Sequence, residues 1–168
     1  MGKLREPLDE VAACGLPQAL EVMGERWSFM ILRAAFNQLY HFEEFLGALG
    51  IARNILSNRL GKLVEHGILK RETCPDDRRK VEYRLTEKGL DLLPAMLALR
   101  DWGEKYTMEM PSNPVLVDSR DWQPIRPITI RAHDGRELQY SELRWQDRSK
   151  IGQNGDKEEC CDEPQPNL

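Results

Sequence analysis

The stretch FEEFLGALGIARNILSNRLGKLVEHGILKRETCPDDRRKVEYRL, residues 42–85, decides the fold. Its first part places apolar side chains at i, i+3, i+4 and i+7 and stops at Gly50, which predicts a short helix. The second part repeats this pattern from Leu56 to Val64 and stops before Gly67, which predicts another helix. ILKRETC and KVEYRL follow as β-strands, and the turn residues between them predict a hairpin.

Helices are predicted on both sides of this stretch. Pro17, in a first-turn position, opens one helix that Gly24 closes, and a second helix begins at about Glu25. After the hairpin, Thr86 is expected to cap a long last helix that is kinked at Pro94. Helices, a two-stranded hairpin and a further helix are the order of a winged helix-turn-helix module. The predicted fold class is therefore mainly α with a small β-wing.

The chain divides into four parts. They are an N-terminal arm (1–13), the winged helix-turn-helix and dimerisation domain (14–110), a small C-terminal β-hairpin extension (111–150) and an acidic tail (151–168). The hairpin of the extension is predicted from apolar residues that alternate between Ile128 and Ala132 before the turn Asp134-Gly135. The tail has almost no apolar content, which is typical of disorder.

The charge of the chain is unevenly distributed. Its 168 residues contain 24 basic and 28 acidic side chains, a net charge of −4, but residues 51–88 hold ten basic and six acidic ones. A phosphate backbone interacts with the charges nearest to it. The negative net charge of the whole chain therefore does not exclude a nucleic-acid partner. No apolar run approaches the roughly 18 residues of a membrane span, and no apolar signal segment is visible. We expect a cytosolic protein without membrane contact.

Metal, cofactor and enzyme chemistry find little support. The four cysteines form no Cys-x-x-Cys pair, and the three histidines have no ligand-like spacing to them, so neither a zinc site nor any other cofactor is predicted. The sequence also lacks a glycine-rich phosphate loop and a nucleophile elbow. We therefore expect a protein that is not an enzyme.

The candidate DNA-binding residues lie on the helix predicted around residues 52–66 and on the hairpin after it. With the leucines inward, Asn54 and Asn58 face outward, where asparagine can form a bidentate pair with adenine. Arg53 and Arg59 flank the leucines and are expected to meet phosphates. The full predicted set is Arg53, Asn54, Ser57, Asn58, Arg59, Lys62, Arg78, Arg79 and Lys80, the last three at the wing tip.

Two alternatives stay open for this set. A polar outer face can be merely solvated, and a turn with Asp76 and Asp77 before its arginines can be held by internal hydrogen bonds and ion pairs.

For the last helix, two adjacent apolar stripes suggest that one faces the module and the other a second copy. The predicted dimer residues are Leu92, Met96, Leu99, Trp102 and Tyr106. The alternative is a helix buried between the module and its own extension.

Three segments together resemble HxlR-type transcriptional regulators, relatives of the MarR winged-helix family. They are CGLPQALEVMGERWSFMILRAAF, HFEEFLGALGIARNILSNRLGKLVEHGILKR and VEYRLTEKGLDLLPAMLALRDWGEKY, which cover roughly residues 14–106. The resemblance implies a homodimer, built from N- and C-terminal helices, that reads a pseudo-palindromic operator in double-stranded DNA. The chain departs from the family pattern at Ala52, where a Ser-like cap is usual, and the wing CPDDRRK looks more like that of MarR.

Cys14 is a candidate sensor. It precedes the first helix, and the positive N-terminal end of a helix can favour a thiolate. The resemblance adds that several HxlR-type proteins respond to electrophiles or oxidants through a cysteine at this position, so an oxidant or small-molecule effector is a candidate partner. The alternative is an inert buried thiol. For the whole chain, the alternative function is a winged-helix protein-interaction module that does not bind DNA.

Overall fold

The computed structural model describes residues 14–73, 80–110, 112–146 and 148–152. The arm 1–13, the wing tip 74–79 and residues 153–168 of the tail lie outside the described residues. The elements are α1 (Gly15–Met23), α2 (Arg26–Phe36), α3 (Phe42–Leu49), α4 (Arg53–Glu65), β1 (Leu69–Thr73), β2 (Val81–Leu85), α5 (Glu87–Leu90) and α6 (Leu93–Thr107). This order confirms the predicted winged helix-turn-helix class.

The glycines predicted to end the first helices do so. Gly50 follows α3 with a φ of 59°, in the left-handed region that glycine adopts without strain. Gly24 follows α1, and a Cβ there would lie 2.3 Å from the carbonyl oxygen of Leu20. A side chain at position 24 would therefore push α1 away from the chain that leads into α2.

The core lies where α2, α3, α4 and the base of the hairpin meet. Its fully buried side chains include Ile31, Phe45, Leu56 and Leu60. Burying an aliphatic or aromatic side chain of this size contributes about 1.5–3 kcal/mol, so these contacts hold α4 at a fixed angle to the rest of the module.

The hairpin is joined to the start of α3. In β1 and β2, which pair antiparallel, Leu69 lies opposite Leu85. The backbone N–H of Tyr83 donates to the carbonyl of Tyr40 at 2.8 Å, and His41 Nδ1 donates to the carbonyl of Val81 at 3.0 Å. The wing is thus anchored to the helix pair α3–α4 through hydrogen bonds as well as through the core.

The prediction of one long last helix with a kink at Pro94 is wrong. Thr86 does act as the cap, since its Oγ1 accepts from the N–H of Gly89, but α5 ends at Leu90 and α6 begins at Leu93. A proline in a helix interior would clash with the carbonyl four residues earlier, here that of Leu90. The chain therefore breaks first, and Pro94 takes a first-turn position of α6 that needs no N–H.

The predicted β-hairpin of the extension forms only in part. Gly135 has a φ of 85° at the predicted turn, and Leu138 N–H donates to the carbonyl of Ile130 at 2.8 Å. However, residues 112–146 contain isolated bridges, at Arg131 with Glu137 and at Val117 with Pro124, and no strand. Prolines within this segment have no N–H for a ladder, which limits pairing. No described helix is both long and apolar enough to cross a bilayer.

Candidate nucleic-acid interface

The exposed side of α4 carries short polar side chains and one lysine. Asn54, Ser57, Asn58 and Lys62 are all exposed, while the leucines on the opposite side are buried. Ala52 stands at the N-cap and makes no side-chain cap bond, so the first N–H groups of α4 receive no side-chain partner from it. The geometry presents amide, hydroxyl and ammonium groups over about two turns of one helix face.

Arg53, at the start of α4, is paired with α3. Its two terminal nitrogens donate to the Glu43 carboxylate at 2.7 and 3.0 Å, and its Cζ lies 5.3 Å from the centroid of the Phe42 ring. The hydrogen bond from Arg53 lowers the pKa of Glu43 below its usual value. Both side chains are more than 60% exposed, so solvent screens this pair and Arg53 can exchange Glu43 for another anion.

Arg59 does not lie where the sequence places it. Its side chain is only 15% exposed, and its guanidinium forms an ion pair with Glu25, the residue before α2. Arg59 Nε is buried and has no hydrogen-bond partner within the described parts of the chain. Arg59 therefore connects α4 to α2 instead of lying along the outer flank of the helix.

The wing carries several cations, and two of the described ones form ion pairs with wing glutamates. Lys70 pairs with Glu72 at 2.9 Å, and Arg84 pairs with Glu82 at 2.7 Å while it lies over the Tyr40 ring. Lys80 is exposed just before β2, whereas Arg78 and Arg79 lie outside the described residues. Sequence reasoning missed Arg71, an exposed cation on β1. The signal for Arg71 was its cationic side chain in the predicted strand ILKRETC, within the basic segment 51–88.

A capping arrangement fixes the start of α3. Oε2 of Glu44 accepts from the backbone N–H groups of Tyr40 and His41 at 2.8 and 2.9 Å, and these bonds lower the pKa of Glu44. The residues that bond to β2 are therefore the same ones that begin α3. The spacing of a cap and a glutamate three residues later was a signal for this contact that sequence reasoning did not use.

Cys14 is the N-cap residue of α1. Its Sγ accepts from the N–H of Leu16 at 3.4 Å, and the residue is half-buried. Two leucines of α1, Leu16 and Leu20, are 61% and 51% exposed. A group attached to the sulfur would therefore disturb the first turn of a helix that carries exposed apolar side chains.

The predicted dimer residues of the last helices separate into two groups. Leu99, Trp102 and Tyr106 are 54%, 60% and 64% exposed on one side of α6, with the two aromatic rings 5.7 Å apart. Leu92, in contrast, packs against the module's own core, and Met96 is half-buried. Leu99, Trp102 and Tyr106 together form the α6 apolar face.

A cavity of about 580 Å³ lies between the end of α2, α6 and residues 112–116. Its apolar lining includes Phe36 and Met96, and its charged lining consists of Arg33, Arg100 and Glu104. Hydrogen bonds from Ser112 lower the pKa of Glu104. No group of three His, Cys, Asp or Glu side chains among the described residues could hold a metal ion.

Comparison with known proteins identifies the family. The model of the HxlR-like helix-turn-helix family matches residues 22–111, more than half of the chain. The chain belongs to the HxlR-like helix-turn-helix family. An uncharacterized HTH-type transcriptional regulator of Mycobacterium bovis is 44% identical to this HxlR-like chain over 116 residues, which cover 69% of the chain and 65% of the relative. The match thus spans about two thirds of the length of the mycobacterial relative.

Solved structures share the HxlR-like fold to different extents. PA1607, a proposed transcription factor, is 38% identical, with a TM-score of 0.75 over 83% of this chain and 99% of its own. PA1374, a proposed transcription factor from Pseudomonas aeruginosa, is 32% identical, with a TM-score of 0.58, and the match covers 80% of this chain and 92% of PA1374. The redox regulator HypR in its oxidized form is 32% identical, with a TM-score of 0.50, and the match covers 55% of this chain and 96% of HypR.

Proposed function

We propose that this HxlR-like chain is a sequence-specific, DNA-binding transcriptional regulator that acts as a homodimer on a pseudo-palindromic operator. One observation carries the proposal: the exposed face of α4 holds Asn54, Ser57, Asn58 and Lys62 beside an anchored wing. Short polar side chains on a helix are the groups that read base edges in the major groove. The naming of relatives as HTH-type transcriptional regulators supports it.

The contacts divide by role. Asn54 and Asn58 are assigned to base edges, and Ser57 to either a base or the backbone. Lys62, Lys80, Arg78 and Arg79 are assigned to phosphates, which fix position but carry little sequence information. Arg53 joins them by leaving Glu43, an exchange that a screened surface pair permits at little cost. Arg59 is left out of this set because Glu25 and burial occupy its guanidinium.

Selection of bound DNA from a random pool tests the proposal. A pseudo-palindrome whose half-sites lie about one helical turn apart is expected, since two recognition helices related by a two-fold axis must meet the same groove twice. Pools that yield no enriched sequence at low salt, together with a stable complex with another protein, would favour the interaction module instead.

The second copy is proposed to contact the α6 apolar face. Exposed aromatic residues in a contiguous patch mark interaction surfaces in soluble proteins. Helix α1 also carries two exposed leucines, Leu16 and Leu20, which are proposed to contribute to the same interface. Sedimentation of the full chain at micromolar concentration should give a dimer, and a monomer there would contradict this part of the proposal.

A response to oxidants or electrophiles through Cys14 is the finer part of the proposal. Cys14 caps α1, and the similarity to HypR, a redox regulator, supports the assignment. Modification would remove the bond from Leu16 N–H to Sγ and shift α1 at the dimer surface.

Alkylation of the reduced protein tests this part of the proposal. A limiting amount of reagent should label Cys14 faster than Cys160. Equal labelling rates would reject the sensor and favour a small-molecule effector, for which the cavity of about 580 Å³ has a suitable size.

A further inference from the structure

The C-terminal extension has defined backbone structure but no buried side chain. Among its described residues 112–146 and 148–152, every side chain with an assigned exposure is half-buried or exposed. Large apolar side chains are prominent among them: Trp122 is 75% exposed, Ile130 and Tyr140 are both 57% exposed, and Trp145 is 54% exposed. Ordering a segment of this length costs conformational entropy that only burial of apolar surface can offset. The extension therefore needs a second surface.

Among the described residues, side-chain hydrogen bonds between the extension and its own module occur at the start of the extension. Arg100 Nη2 donates to the carbonyl of Pro114 at 2.6 Å, and Ser112 hydrogen-bonds to the carboxylate of Glu104. Farther along, the ion pairs of Arg131 with Glu137 and of Arg136 with Glu142 stay within the extension. These pairs hold the extension in shape without burying its aromatic residues.

The position of the extension points to its partner. Residues 112–116 lie against α6 and line a cavity together with Leu99 of the α6 apolar face, so a second copy bound at that face would lie beside the start of the extension. Residues 112–152 contain seven basic and six acidic side chains, a nearly neutral balance that suits a protein surface better than a phosphate backbone.

The area available is also of the right order. Each large aromatic side chain buries about 150–250 Å² when it is fully covered, so Trp122, Tyr140 and Trp145 could together bury several hundred Å² per subunit. A stable dimer of standard size buries about 800 Å² per partner. Contacts from the extension would therefore form a large share of such an interface.

We propose that the extension of each subunit crosses to the second copy of the chain and packs its apolar side chains on α1 and α6 of that partner. The proposal rests on the homodimer proposed above. In this arrangement each extension is an exchanged arm that packs against the outer surface of the partner subunit. The match to PA1607 covers 83% of this chain, which is more than the module alone, whereas the match to HypR covers 55% of this chain and 96% of its own, so HypR has no counterpart of most of the extension.

Photochemical cross-linking in the full chain tests the crossing directly. Full-length protein with p-benzoylphenylalanine at position 122 is mixed with ¹⁵N-labelled protein of natural sequence, allowed to exchange subunits, and irradiated. The expected products join position 122 to ¹⁵N-labelled peptides from 15–23 or 93–107. Links confined to the unlabelled chain that carries the probe would overturn the proposal.

A pair of full-length variants gives a second readout. Trp122→Ser with Ile130→Ser removes apolar surface, and Asp121→Ser with Thr129→Ser changes their polar neighbours as a control. The first pair should weaken dimerisation at least tenfold in sedimentation equilibrium, while the control leaves it unchanged. Because Trp122 and Ile130 are 75% and 57% exposed and lie outside the buried core, circular dichroism should be the same for both pairs.

The outcomes separate this inference from the proposed function. If the protein of natural sequence sediments as a monomer, the homodimer fails and the arm fails with it. If it is a dimer but position 122 links only to its own chain, or if both variant pairs dimerise equally well, the arm alone is rejected.

Discussion

Asn58 and Lys62 lie one turn apart on α4, are both exposed, and carry different proposed roles. Asn58→Ala should lower the preference for the selected operator over scrambled DNA about tenfold or more, because a bidentate base contact is worth about 1–3 kcal/mol of discrimination. Lys62→Ala should weaken binding to both DNAs alike and reduce the salt slope by about one per lost phosphate contact. Fluorescence anisotropy over a range of KCl concentrations measures both quantities.

The matched control for charge is Arg126→Ala, which removes one cation from the exposed extension. It should leave both the sequence preference and the salt slope unchanged. If Asn58→Ala and Lys62→Ala instead give the same loss on operator and scrambled DNA, the division between base reading and phosphate contact on α4 is wrong.

Glu44 makes stability depend on pH. The N–H groups of Tyr40 and His41 lower its pKa in the folded protein, so its carboxylate stabilises the fold above the unfolded pKa, and this contribution is lost as pH falls through the folded pKa. Glu44→Gln should therefore cost at most about 0.5 kcal/mol at pH 7, given its exposure, and progressively less as the pH falls below the unfolded pKa and through the lower folded pKa. Urea unfolding at several pH values measures the difference, and a difference that does not decline toward acidic pH would contradict this role of Glu44.

At the scale of the element, α4 is held in place by an ion pair that the sequence did not predict. Arg59 and Glu25 are 34 positions apart, and only the packing of α4 on α2 brings them together. Replacing Arg59 by Met, which keeps the aliphatic stem, should destabilise the fold by at most about 1 kcal/mol, because Glu25 is 51% exposed and water solvates its charge when the partner is lost. A double-mutant cycle with Glu25→Gln should show coupling above about 0.5 kcal/mol.

The same variant distinguishes the two placements of Arg59. If Arg59 positions α4, Arg59→Met should keep the salt slope of DNA binding, measured at a temperature where the variant is fully folded. A slope reduced by about one would mean that Arg59 reaches a phosphate, as the helical periodicity alone suggested.

Local signals explain which elements the sequence predicts well. The bounds of α3 and α4 follow from leucine spacing and from Gly50 and Gly67, all of which act within one turn. The break before α6 depends on a clash between Pro94 and a carbonyl four residues earlier, which periodicity does not register. The partner of Arg59 depends on a contact between distant segments, so it could not be read from neighbouring residues. The incomplete hairpin of the extension has a local cause, since prolines within the segment limit its pairing.

At the scale of the whole molecule, dimerisation and operator binding should be coupled. Two recognition helices in one dimer bind two half-sites together, so the second contact benefits from a high effective concentration.

Trp102→Ser with Tyr106→Ser removes two exposed rings of the α6 apolar face and should raise the dimer dissociation constant at least tenfold. Affinity for the full operator should then fall with the dimer, while affinity for an isolated half-site changes little. Asp101→Ser, at an exposed position beside Trp102, serves as the control. Equal loss on the half-site and the full operator would show that these rings support the fold of the subunit and not its pairing, and sedimentation of the same samples would reveal which of the two has changed.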